Sequence, residues 1–276
     1  MSIERLLKRV YDLPSIPKVV QDLIASLSSR SGAASKVSEH IQSDPAIAAK
    51  VLRLANSARY GAGRSIASID SAVVLLGFDT LKTLIIASGV TTAMAQIPGL
   101  DMRQFWRESF IVAQLAKTLA LCAKEVDKET AFTCGLLHKI GTALMYLGHK
   151  ERMQTIALSL APDEDPRQKQ RNAFGYACDE VASRLAEIWR FPPVIQTALL
   201  YQADPFAADP FSQYAATVKL AVTISQFLDN NVPLEDVVPT LPKPLLESIN
   251  VDTYTLFQKL VALSDMDDDI ELLLAA

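Results

Sequence analysis

Apolar residues recur every three to four positions along almost every long segment of this chain, and nowhere do they alternate over a strand's length. That period places side chains on one face of a helix, and a chain that keeps it throughout is confined to all-α folds. Ile47, Val51, Leu54 and Ala58 show it at i, i+4, i+7 and i+11. Asp44 is placed to cap this helix and Pro45 to occupy its first position. Ser68 is expected to cap a helix over 69–76, with Gly77 closing it and Asp79 capping a further run from Thr80 to about Met94. Both are apolar on most faces and read as a buried hairpin. Ile97-Pro98-Gly99 is the clearest break. It divides the chain into an N-terminal helical part, residues 1–98, and a bundle, residues 99–276. A helix begins near Met102 with Phe105, Trp106, Phe110, Val112, Leu115 and Leu119, and another is expected over 130–147, ended by Gly148. Residues 161–171 read as a surface connection. Helices fit at about 179–189, 193–202, 212–229 and 252–263. Residues 232–244, with Pro233, Pro239, Pro242 and Pro244, read largely as loop.

Half of the 276 residues are hydrophobic and 21% are charged, enough apolar surface for a sizeable core. The net charge of −4 gives no electrostatic footprint for nucleic acid. The longest apolar stretches, residues 72–78 and 84–90, fall short of the roughly 18–20 residues that span a bilayer. The amphipathic start Met1-Ser2-Ile3-Glu4-Arg5 is not a signal peptide. Cys122, Cys134 and Cys178 are odd in number and widely spaced, which suits a reducing cytoplasm and offers no metal-binding pair.

Three strings carry a family resemblance. They are Leu13-Pro14-Ser15-Ile16-Pro17; Asp44-Pro45-Ala46 running into Arg53-Leu54-Ala55-Asn56-Ser57-Ala58-Arg59-Tyr60-Gly61; and Ser68-Ile69 followed by Ala72-Val73 and Leu76-Gly77-Phe78. In this order and spacing the chain resembles the HDOD domain, a bacterial signalling module related to the HD and HD-GYP metal phosphohydrolases. The likeness continues through Trp106-Arg107-Glu108-Ser109 and Gly135-Leu136-Leu137-His138-Lys139-Ile140-Gly141, covering about residues 13–228. It implies two helical parts, the second similar to an HD hydrolase, and a regulatory role. The last ~45 residues have no counterpart in it.

An HD hydrolase holds divalent metal with carboxylates and imidazoles that activate a water for attack on phosphorus. The resemblance puts the family's His-Asp pair on His138-Lys139, an earlier histidine on Glu108, a later one on Cys178, paired histidines near Tyr201-Gln202 and a final aspartate near Val222. Lysine in place of aspartate turns attraction into repulsion, on the order of 4 kcal/mol per unit-charge pair at ~4 Å and an effective dielectric of about 20. Glutamate is chemically able to ligate. His149 lies 11 residues beyond His138, roughly 16 Å along a continuous helix. No catalytic residue, metal or cofactor is therefore expected. Glu108, His138, Lys139 and Cys178 are expected to form a remnant pocket, against the simpler reading of His138 as a bundle histidine bonded to backbone.

Lys50, Arg53, Asn56 and Arg59, off the apolar face of their helix, are candidates for an interaction surface. The simpler reading there is a solvated face, with Asn56 bonding the loop that follows. Asp265-Met266-Asp267-Asp268-Asp269 lacks the glycine and glutamate a calcium loop needs, since Ile270 and Ala276 stand there. The helix after Gly77 has only Lys82 as a basic residue in its first turns, unlike a DNA-recognition helix. The function expected is a cytoplasmic, non-catalytic regulatory module acting by protein–protein or ligand contact, partner unknown, with neither nucleic acid nor membrane. Alternatives are a divergent metal-dependent phosphohydrolase using Glu108 and His138, and a DNA-binding transcriptional regulator.

Overall fold

The computed structural model describes residues 3–9, 16–26, 45–56, 66–161 and 164–263. Among these the architecture is all-α, with no strand. The order begins with α1 (Ile3–Arg9), α2 (Lys18–Ser26), α3 (Pro45–Ala55), α4 (Ile69–Leu76) and α5 (Phe78–Ala93). The bundle follows as α6 (Met102–Cys122), α7 (Lys128–Leu137), α8 (Ile140–Leu158), α9 (Pro166–Phe174), α10 (Cys178–Ile188), α11 (Pro193–Tyr201) and α12 (Gln213–Asp229). It ends with α13 (Leu234–Thr240), α14 (Lys243–Ser248) and α15 (Thr253–Val261). No single helix among the described residues is long and apolar enough to cross a membrane.

α6 is the pillar. Its 21 residues run about 30 Å at the helical rise, and it is buried on two sides. Phe105, Trp106, Phe110 and Ala113 join a core that also takes in α2, α5, α8, α10 and α11. Val112, Leu115, Ala116 and Leu119 join a second core built with α12, α13, α14 and α15. The final helices, outside the family resemblance, thus cover a face of α6 that would otherwise meet water. The amide of Asp252 donates to the carbonyl of Cys122 at 3.0 Å, pinning the start of α15 to the end of α6. The N-terminal helices reach the bundle through a buried polar tie. Glu129 on α7 accepts from Lys117 Nζ at 2.9 Å and from Thr80 Oγ1 at 3.4 Å.

Local chemistry accounts for most helix starts. Ser68, Asp101, Asp127, Asp165, Ser212 and Asp252 each accept from a first-turn amide. Several expectations fail for identifiable reasons. Asp79 caps nothing: Gly77, at φ 77° and ψ 151°, both ends α4 and starts α5, and Asp79 instead lies 3.7 Å from Lys82. That backbone region is nearly closed to residues with a Cβ. α4 is not buried on all sides, since Val74 is 87% exposed. The expected 130–147 helix is two helices, α7 and α8, broken at His138-Lys139. Gly148 does not end α8, which bends at His149 and continues to Leu158. A Cβ on Gly148 would meet Leu6 Cδ1 at 2.0 Å, so the bend is where α1 seats on α8. Residues 161–171 hold the start of α9, because Pro166 sits at its first position, where a missing amide proton costs nothing. Residues 232–244 likewise hold α13 and part of α14, with Pro233 and Pro242 just ahead of their first turns. Asp44, Arg59 and Asp265-Met266-Asp267-Asp268-Asp269 lie outside the described residues.

The bundle's tightest crossing is at Gly141. A Cβ there would stand 1.8 Å from the carbonyl oxygen of Cys178 and 2.8 Å from the amide nitrogen of Ala182. Backbone does not yield as a side chain does, so Gly141→Ala is expected to lower the free energy of unfolding by at least about 3 kcal/mol, the upper end for overpacking. Guanidinium denaturation of the variant checks this; a loss under about 1 kcal/mol would mean the helices separate freely there.

Candidate functional site

The break between α7 and α8 organises the site. His138 is the last residue of the α7 turn and Lys139 precedes α8, its backbone outside the helical region at φ −100° and ψ 1°. Lys139 therefore points away from the helical stack toward α6, where its ammonium donates to Oε2 of Glu108. The other oxygen of Glu108 accepts from Gln104 Nε2 at 2.8 Å, one turn earlier on α6. The same ammonium stands 5.8 Å from the centre of the Phe105 ring. Both charged side chains are about one-third exposed, 32% for Lys139 and 34% for Glu108. Burial pushes the Glu108 carboxyl up, but the hydrogen bonds from Lys139 and Gln104 and the charge on Lys139 outweigh it, and its pKa falls below the usual carboxylate value.

His138 is half-buried, and its Nδ1 lies 2.6 Å from the carbonyl of Gly135. A carbonyl only accepts, so Nδ1 carries the proton and Nε2 is an acceptor. Desolvation, reinforced by the neighbouring Lys139 ammonium, pulls the His138 pKa down to about 3. The ring is neutral at pH 7.

Cys178 opens α10, and its amide donates to Gln170 Oε1 of α9 at 2.9 Å. Burial holds its thiol above the ordinary cysteine value, against a hydrogen bond with Thr142 that lowers it. Gln202 donates to the carbonyl of His138 at 3.0 Å and to that of Leu199 at 3.0 Å. The structure thus brings together Glu108, His138, Lys139 and Cys178, and adds Gln202, all around the His138–Thr142 turn. Glu108 binds Lys139, Gln202 binds His138, and Cys178 meets Gly141 and Thr142.

This donor set does not fit a divalent ion. The Lys139 ammonium occupies the Glu108 carboxylate, Val222 is apolar, and His138 keeps one free lone pair, on Nε2. Among the described residues no three His, Cys, Asp or Glu side chains gather as a metal-binding group. His149 belongs to a separate cluster, with Nε2 3.1 Å from the Tyr176 hydroxyl and its ring stacked 4.7 Å from Phe174.

The interaction-surface candidates divide. Arg53 is exposed on α3. Asn56 is committed to backbone: its amide group donates to the carbonyls of Leu52 and Ile66 and accepts from the Ile66 amide, each at 2.7 Å. The side chain of Lys50 lies outside the described residues, as does Arg59. Gln104, Phe105, Thr142 and the contact of Gln202 escaped the sequence reading. Gln104 stands at i−4 from Glu108, a spacing able to flag it; the others depend on tertiary approach.

The all-α bundle defines the class, a helical fold like that of the HD-type phosphohydrolases. The HDOD domain model matches residues 13–205, and the chain belongs to that family. Among solved structures it is similar to a candidate phosphohydrolase from Shewanella amazonensis SB2B, at 33% identity and TM-score 0.83, covering 97% of this chain and 96% of that one. It is also similar to an HDOD domain protein of unknown function from Geobacter sulfurreducens, at 25% identity and TM-score 0.77, covering 98% and 95%. A protein of Treponema pallidum (strain Nichols), described only as uncharacterized, is 24% identical over 250 residues. That match takes in 89% of this chain and 47% of the relative, so the chain spans about half that protein's length.

The His138 environment has a pH signature. A histidine pKa lowered from 6.5 to about 3 means the unfolded chain takes the proton first on acidification. The contribution is full above about pH 6.5 and is lost as pH falls toward 3. Glu108, lowered in the fold, loses stability on acidification in the same direction. Urea denaturation across this range should show stability falling more steeply for the wild type than for His138→Gln. Parallel profiles would count against a buried neutral imidazole.

Proposed function

We propose that this chain is a non-catalytic regulatory module that works by binding, in the cytoplasm, through contact with another signalling protein. The observation that carries the reading is the Lys139 ammonium bonded to Glu108 at the position where active relatives of the fold carry a metal-binding carboxylate. A carboxylate there would attract a divalent ion, whereas a positive charge repels it. Membership of the HDOD family supports a signalling role. So does the likeness of fold to a candidate signal transduction protein from Marinobacter aquaeolei VT8, at 22% identity and TM-score 0.78 over 96% of this chain and 60% of that one. Nucleic acid is not the partner proposed: Lys82, the basic residue of α5's opening turns, is buried beside the Phe78 ring. The surface for the partner includes the exposed Arg53 of α3 and the face around Glu108 and Lys139.

A second reading, metal-dependent phosphoester hydrolysis, is favoured by the description of the Shewanella relative. The two separate cleanly. Protein purified without chelator is expected to carry no stoichiometric divalent metal and to leave bis(p-nitrophenyl) phosphate intact with added Mn²⁺. Metal-dependent hydrolysis that disappears in His138→Ala would sink the binding-only reading.

A further inference from the structure

We propose that the Lys139 ammonium is a tethered cation that does permanently, within the chain, the cross-linking work of a bound ion. This deepens the non-catalytic reading and rests on it. α6 presents two groups that attract one cation from the same face, the Glu108 carboxylate and, three residues earlier, the Phe105 ring. Gln104 fixes that carboxylate by holding its second oxygen. The cation comes from 31 residues further along the chain, out of the α7–α8 break. It therefore joins two elements that sequence does not bring together, as a metal ion does when it draws ligands from several helices.

The rest of the neighbourhood fits an internal cross-link and not an entry site. Gln202 Nε2 is spent on the His138 carbonyl, Cys178 is hydrogen-bonded with Thr142, and His138 Nδ1 is spent on Gly135. The Gln202 and Cys178 bonds fasten this turn to the end of α11 and to α10, and the Gly135 bond closes α7. Lys139 supplies the fastening to α6. A lysine is not lost by dissociation or chelation, so the turn keeps its geometry whatever the metal supply.

The test is a double-mutant cycle on the full chain with Lys139→Met, Glu108→Gln and the pair, plus Lys139→Asp, each melted with and without millimolar MnCl₂. Lys139→Met is expected to lower Tm by about 2–4 °C, the size of one partly exposed charge pair in a domain of this order. The double variant is expected to melt no lower than the weaker single variant, because the second change removes a group already unpaired. Lys139→Asp is expected to melt lower still, with or without Mn²⁺, because it sets a second carboxylate against Glu108. Wild-type Tm is expected not to respond. Additive single changes, or a Lys139→Met protein as stable as wild type, would overturn the tethered cation. So would a Lys139→Asp protein as stable as wild type; if that variant does not fold, the neutral cycle decides. Wild-type protein that itself binds Mn²⁺ and cleaves the phosphodiester overturns the non-catalytic reading instead, a result separable from a flat cycle.

Discussion

Gly141 has no side chain, and the backbone at the start of α10 occupies the volume one would need. That crossing sets the depth at which α8 and α10 pack, and with it the position of the His138–Thr142 turn. Once the turn is placed, Lys139 is within reach of Glu108 on α6 and the His138 carbonyl within reach of Gln202 on α11. The polar contacts of the site are consequences of a steric one. Their individual worth is modest, because a pair about one-third exposed is strongly screened by water. The apolar cores on the two sides of α6 supply most of the stabilisation, and the polar ties select which face of each element turns inward.

The chemistry of the site follows from the same placement. In a metal-dependent hydrolase the convergence of helices onto one turn holds an ion. Here Lys139 and Glu108 bond to one another. The neutral imidazole, tied to Gly135 through Nδ1, keeps one lone pair on Nε2, and the ammonium beside it is paired with Glu108. What reaches solvent is a partly exposed ion pair beside an aromatic ring.

Much of the fold was legible because the signals are local. Ser68, Asp101, Ser212 and Asp252 cap helices by bonding amides two or three residues away, and the apolar period names the buried faces. Prolines misled where they were counted as breakers without regard to position. Pro166, Pro233 and Pro242 stand at helix starts, where their fixed φ is an advantage. The break at His138-Lys139 was not legible, because the helical period runs through it unaltered. Beside it Gly141 docks on α10, a contact with a residue 37 positions away in the chain.

The site residues divide along the same line. Glu108, His138, Lys139 and Cys178 were found through family resemblance, which identifies positions but not bonds. That Lys139 takes Glu108 as its partner depends on a turn geometry no spacing rule contains. The substitution of aspartate by lysine reads in sequence only as a loss, the removal of a metal ligand. In three dimensions the same residue makes a contact, since the carboxylate at 108 would otherwise stand partly buried with Gln104 as its hydrogen-bond partner and no compensating charge. A carboxylate and an ammonium at these two positions are therefore one feature, an ion pair that ties the start of α8 to α6.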